Sequence, residues 1–227
     1  MSFERQSGLV SVIVTCFNNG QYVKECLHSL INQTYRNNEI IIIDDKSTDN
    51  SVQQVKELIK SYQNQIDPER LIFVELPRNV GCSGTVTTGF FLSRGEFIAI
   101  HDMDDISHPE RIQRQVEYLQ EHPEIGAVGS NYASFNEGLF DQKQEASFWL
   151  AYGVDNIRNT YALGGHCVSV GTMLFRGSVF DELGGFSNKV IGAEDWEFIC
   201  RYIANGVEVD NIPVTLYYYR NHNLQRS

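Results

Sequence analysis

The chain is expected to fold as an α/β protein, a Rossmann-like, doubly wound and mostly parallel sheet followed by a less regular C-terminal half. Three observations predict this. Short β-branched runs alternate with segments of helical periodicity from Leu9 to Leu119. The runs are continuous rather than alternating, as strands covered on both faces are. Several of them end in polar or acidic residues, at the strand ends where open parallel sheets bind ligands.

Leu9 to Thr15 reads as the first strand, stopped by the turn signal Asn18-Asn19-Gly20. Tyr22, Val23, Leu27, Leu30 and Ile31 recur at helical spacing, and Glu39 to Ile43 makes the second strand. Asp49 stands where an N-cap would, ahead of Val52, Val55, Leu58 and Ile59; Leu71 to Val74 is a third strand. A helix fits Ser83 to Ser93 and a strand Phe97 to Ile100. Behind Pro109, Ile112, Val116 and Leu119 share one helical face. Later signals are sparser: a strand at Ala127 to Gly129, little pattern from Asn131 to Trp149, a strand at Val168 to Phe175, a helix at Glu194 to Ala204 and a last strand at Val214 to Tyr219. The composition shift near Asn131 marks a subdomain boundary at most.

The chain of 227 residues has 18 Lys plus Arg against 29 Asp plus Glu, a formal charge of −11. That balance offers no general attraction to nucleic acid, and none to an anionic membrane. Cys16, Cys26, Cys82, Cys167 and Cys200 are odd in number and form no C-x-x-C pair, which argues against a disulfide framework or a zinc knuckle. Met1 to Gly8 lacks the apolar core of a signal peptide, and no apolar run approaches the roughly 18 residues of a membrane span. A reducing cytoplasm is the expected home, with peripheral contact at the inner membrane face left open.

The acids carry the chemistry. The fourth strand runs into Asp102-Met103-Asp104-Asp105, and carboxylates at a strand end suit a hard cation, Mg²⁺ or Mn²⁺, on a phosphate ligand. In extended backbone Asp102 and Asp104 would point to one side. Three other strand ends are similarly loaded: Thr15-Cys16-Phe17-Asn18, Asp44-Asp45-Lys46-Ser47-Thr48-Asp49, and Pro77-Arg78-Asn79-Val80-Gly81. His166-Cys167 does not read as a thiol dyad, because adjacent side chains rarely face each other and no third orienting group is evident.

Taken in order, with Gly184-Gly185-Phe186, Glu194-Asp195 before Trp196 and Arg220-Asn221-His222, these motifs resemble family 2 of the inverting nucleotide-sugar glycosyltransferases, of GT-A fold. The resemblance covers nearly the whole chain. It implies one domain, 1–227, with a nucleotide-sugar half of about 1–130 and an acceptor and catalytic half of about 131–227. It implies metal-dependent transfer of a hexosyl or N-acetylhexosaminyl group, with inversion, from a nucleotide sugar such as a UDP-sugar. The acceptor would be a saccharide or lipid-linked saccharide hydroxyl, in the building of surface polysaccharide or glycolipid.

By the same resemblance, Phe17 lies against the nucleobase, Asp45 accepts a hydrogen bond from it, and Thr15 supports the pocket. Asn18, Arg78, Asn79 and Asp102 complete the nucleotide-sugar set. Asp104 ligates Mn²⁺ or Mg²⁺, with Asp102 and His222 as further metal residues, and Asp195, beside Glu194, is the base. Five of these have a plainer reading: Phe17 as a cover for the sheet end, Asp45 as a turn former, Glu194 and Asp195 as complements to a helix dipole, and His222 as part of a surface tail. Arg78 and Arg201 could add positive charge or be structural. Two other classes compete. A haloacid-dehalogenase-type phosphohydrolase also ends a strand in D-x-D, although that strand is normally first in the chain. A non-catalytic nucleotide-sugar-binding module would share the donor pocket and lack the base.

Overall fold

A computed structural model describes residues 3–63, 65–145, 148–223 and 225. Four parallel strands, β1 (Gln6–Cys16), β2 (Asn38–Asp44), β3 (Leu71–Glu75) and β4 (Gly95–Asp102), lie in the order β3-β2-β1-β4. Val12 sits between Ile40 and Ala99, so three strands enter the core in register. Alternation along β1 divides that core in two. Val12 and Val14 pack under α1 (Val23–Ile31), α2 (Ser51–Tyr62) and α4 (Arg111–Glu121), through Leu27, Leu30, Val55, Ile112 and Val116. Ile13, with Ile41 and Ile98, packs beneath α3 (Gly81–Leu92), α5 (Val154–Ala162), α6 (Gly177–Leu183) and α7 (Glu194–Ala204), through Val86, Ile157, Phe180 and Phe198. The strands read as covered on both faces because they are.

The sheet then continues. Beyond β4 come β8 (Leu174–Arg176), β6 (Ile125–Asn136), β9 (Glu208–Asn221) and β5 (Ile106–Ser107), while β7 (Gln144–Glu145) pairs with β6. β8 is antiparallel to β4 and β6, and β6 and β9 run parallel.

β6 runs through Asn131, where composition changes, and pairs with β9 on both sides of it, with register shifts at Asn131. Several expectations are corrected here. Val168 to Phe175 is not one strand: the Ser169 carbonyl accepts from the Thr172 N–H (3.0 Å) and hydroxyl (2.7 Å), closing a 3₁₀ turn, and β8 starts only at Leu174. Asn50, not Asp49, precedes α2, although Asp49 still takes the Ser51 N–H at 2.9 Å and the Gly20 N–H at 3.0 Å. The helices α5 and α6 were not anticipated; α5 buries only Ile157 and Tyr161, too few to make a visible period.

Candidate active site

Beyond the carboxyl ends of the parallel strands lies a cavity of about 520 Å³, lined among others by Thr15, Phe17, Asp45, Asn79, Asp102 and Asp104. One side is built by the loop before α3. Asp45 is buried, and its two carboxylate oxygens accept the backbone N–H groups of Val80 (2.6 Å) and Gly81 (2.9 Å). Asn79 closes the same loop, donating to the Asp45 carbonyl at 3.1 Å and accepting from the Gly81 N–H at 3.1 Å. Each Asp45 oxygen keeps a second lone pair for an incoming donor. Phe17 stands at the cavity with 48% of its surface exposed.

Asn18 and Arg78 are placed differently. The Asn18 side-chain carbonyl accepts from the Thr48 N–H at 2.8 Å, at φ +55°, and ties two loops together; Asn19 lines the cavity instead. Arg78 is exposed and outside the lining. Arg201 is structural, held by Glu197 at 2.7 Å and by the Leu183 and Gly185 carbonyls.

The acid cluster is a turn rather than extended backbone. Asp102 is the last residue of β4, Met103 is buried, and the Asp105 N–H reaches the Asp102 carbonyl at 3.2 Å. The turn, not strand alternation, brings Asp102 and Asp104 to one cavity. Thr15 donates to Asp102 at 3.1 Å, yet burial, then the Asp104 charge, raises the Asp102 pKa to about 6. Asp105 turns inward, accepting from the Tyr217 hydroxyl (2.7 Å) and the Arg220 N–H (2.8 Å). The end of β9 completes the site. Arg220 donates to the Asp104 carbonyl at 2.7 Å and to Glu25, with its guanidinium over the rings of Tyr22 and Phe135. The next turn of chain sets His222 Nε2 at 2.9 Å from Asp104 Oδ2. The His222 side chain is 1% exposed, so it does not belong to a free surface tail.

Among the described residues no three His, Cys, Asp or Glu side chains already converge as a metal cage. The donor set still fits a divalent cation. Asp102 and Asp104 are hard oxygen donors at one cavity, His222 adds an imidazole beside Asp104, and no lysine or arginine among the described residues forms a salt bridge with either carboxylate.

Asp195 lies in the first turn of α7, beside Glu194, and neither lines this cavity. The Asp195 Oδ2 is 3.3 Å from His166 Nε2, and that hydrogen bond leads in holding its carboxyl below the ordinary aspartate range. The residues missed from sequence connect the two places. His166 stacks on Trp149 (centroids 5.3 Å, 26°), whose indole donates to the Tyr132 hydroxyl at 2.8 Å; the Tyr132 ring lies 5.9 Å from Tyr219, which lines the cavity. No spacing along the chain announces this wall, because its members come from four separate segments.

An acidic turn at the mouth of an open α/β sheet, with a nucleotide-sized cavity beside it, is the arrangement of a nucleotide-binding α/β fold. Residues 11–184 match the family described as glycosyl transferase family 2, and the chain belongs to that family. Residues 157–223 also match one described as the N-terminal domain of galactosyltransferase. An uncharacterized glycosyltransferase of Methanocaldococcus jannaschii is 30% identical over 221 residues, covering 96% of this chain and 72% of its own. Among solved structures, Staphylococcus aureus TarS, residues 1-349, in complex with UDP-GlcNAc has a TM-score of 0.75 at 22% identity, covering 95% of this chain and 59% of that one. A mannosyltransferase of Pyrobaculum calidifontis, in complex with GDP-Man and Mn²⁺, has a TM-score of 0.68 at 20% identity, covering 92% of this chain and 56% of that one. The fold is that of the GT-A glycosyltransferases. Family membership leaves the phosphohydrolase reading without support. Among the described residues, no helix is long and apolar enough to cross a membrane.

Proposed function

We propose that this protein is a metal-dependent, inverting glycosyltransferase that moves a sugar from a nucleotide sugar, a UDP-sugar first, to a hydroxyl of a saccharide or lipid-linked acceptor. The observation that carries it is the cavity at the strand ends, lined by Phe17 and Asp45 together with Asp102 and Asp104, with Asp104 Oδ2 2.9 Å from His222 Nε2. Phe17 stacks on the nucleobase, Asp45 accepts from it, and Thr15 steadies Asp102. Asn79 shapes the loop around Asp45. Asp102, Asp104 and His222 hold Mn²⁺ or Mg²⁺, which when bound balances the charge on the leaving diphosphate.

Asp195, ionised and 40% exposed, takes the proton of the acceptor hydroxyl. The acceptor oxygen forms its bond to the anomeric carbon as the bond to the diphosphate breaks, and that electron pair leaves with the nucleoside diphosphate. The domain reading follows: one unit, 1–227, with the donor bound by about 1–130 and the acceptor met by about 131–227. The reading also puts the protein in the cytoplasm, at or near the inner membrane face, in surface-polysaccharide or glycolipid synthesis.

Calorimetric titration with UDP, with and without Mn²⁺, tests the donor site. Binding that needs the metal and vanishes in Asp104→Ala is expected; no binding of UDP, GDP or dTDP under any condition would sink the reading. Asp195→Asn should keep that binding and lose transfer by about 10²–10⁴-fold. A pure binding module would instead give no turnover in the wild type.

A further inference from the structure

His166 is the best-held polar side chain near Asp195 that the proposed reaction leaves unused. Both ring nitrogens and one ring face have protein neighbours, although the side chain is 31% exposed. Tyr161, buried on α5, places its hydroxyl 2.7 Å from Nδ1; Asp195 lies 3.3 Å from Nε2; and Trp149 stacks on one face. Trp196, next to Asp195, donates its indole N–H to the Gly165 carbonyl at 2.8 Å, which ties the His166 loop to the start of α7. These contacts draw on three separate segments, so the ring can neither flip nor withdraw without breaking several of them.

The hydrogen-bond directions follow from the donor inventory. Burial raises the Tyr161 phenol well above its ordinary range, so it stays protonated and donates. Nδ1 must then accept in the neutral ring, which leaves the proton on Nε2, aimed at the carboxylate. We propose that His166 is a positioning residue for the transfer reaction: the chain Tyr161 O–H to Nδ1, then Nε2–H to Asp195 Oδ2, holds the Asp195 carboxylate oriented toward the acceptor hydroxyl. Asp195 Oδ1 is meanwhile tied to the Trp196 N–H at 2.7 Å, so both oxygens are oriented and each still has a lone pair for the acceptor proton. The titratable groups around His166 are Tyr161 from α5, Asp195 and the adjacent Glu194 from α7, and Cys167 beside it, whose thiol burial pushes up. The inference rests on Asp195 being the base, and its test separates the two.

The wild type, His166→Ala, His166→Gln, Tyr161→Phe and Asp195→Asn are compared by UDP release from whichever of UDP-glucose, UDP-galactose and UDP-N-acetylglucosamine the wild type turns over. The expected result for His166→Ala is a kcat lower by roughly 10²-fold, as for a misplaced catalytic group, with UDP affinity unchanged. The acid limb of kcat should move to higher pH, because the Asp195 carboxyl loses the bond that lowers it. The Gln side chain, which can still donate, should recover part of the loss. If Asp195→Asn abolishes turnover while His166→Ala changes neither kcat nor the acid limb, the positioning role is wrong and the base assignment survives. If Asp195→Asn is fully active, both fall. Imidazole ¹⁵N spectra give a readout that needs no substrate. Protonated Nε2 with bare Nδ1 at neutral pH, becoming a tautomer mixture in Tyr161→Phe, supports the chain; a proton on Nδ1 alone overturns it.

Discussion

Asp102 carries a conflict between burial and charge. It is crowded by Asp104 in a buried turn, and its pKa of about 6 stands above the ordinary 3.8. The folded chain therefore binds a proton that the unfolded chain releases, so stability from this group is full below pH 3.8 and is lost as pH rises through about 6. Without metal, Asp102→Asn should be more stable than the wild type at pH 7.5 by about 1–3 kcal/mol, and the difference should close near pH 4. Asn keeps an oxygen for the Thr15 hydroxyl, so that contact is not what changes. Urea unfolding in chelator at the two pH values checks this, and a variant less stable at pH 7.5 would contradict it. The acids themselves were legible in the chain, as were Phe17 and Asp45, because they follow apolar strands whose ends must face solvent or ligand. His166 was not. Beside Cys167 it suggested only a thiol pair, and its true partners, Tyr161 and Asp195, lie 5 and 29 residues away on two different helices.

Among the elements, α3 lies unusually close to the sheet. A Cβ on Gly89 would meet Ile13 Cγ2 at 2.2 Å, so the helix can sit on β1 only because that position has no side chain. Gly89→Ala should cost about 1–3 kcal/mol from overpacking, despite the better helix propensity of alanine. Adding Ile13→Val, which removes only Cδ1, should relieve little of it, whereas Ile13→Ala in the Gly89→Ala background should cost less than Ile13→Ala alone. A double-mutant cycle in urea checks the coupling; additive effects would mean that the helix simply shifts. The same closeness matters for the site, because the first turn of α3 supplies the Gly81 N–H to Asp45. The strands β1 to β4 and the helices α1 to α4 were readable to within a few residues, since each carries an apolar run or stripe, which in α2 packs as Val55 with the partly buried Leu58, Ile59 and Tyr62. α5, α6 and the short β8 were not, because each has only a few buried residues and its limits are set by hydrogen bonds from elsewhere.

At the scale of the molecule, one nine-stranded sheet joins the donor-side strands to β6 and β9. A buried arginine fastens the junction. Arg111 donates to the carbonyls of Ile100 (2.8 Å) and Met173 (3.3 Å) and to the Ser107 hydroxyl (3.2 Å), with its guanidinium 5.0 Å from the centre of the Tyr217 ring. Thermal unfolding should therefore be a single transition, with calorimetric and van't Hoff enthalpies equal. UDP with Mn²⁺ should raise its midpoint, by about 2.7 kcal/mol of stability at one hundred times Kd. Two resolved transitions would show that the halves fold separately. The order of apolar runs, their length and the residues that end them sufficed for the α/β class, for the parallel direction of the first strands and for the polar and acidic strand ends that line the cavity, because local pattern and sheet geometry act over a few residues. Three things required the folded chain: the turn that brings Asp102 and Asp104 together, the return of β9 that lays His222 against Asp104, and the aromatic wall linking Tyr219 to His166 and Asp195. Each depends on contacts between segments far apart in the chain, which packing selects and local periodicity does not encode.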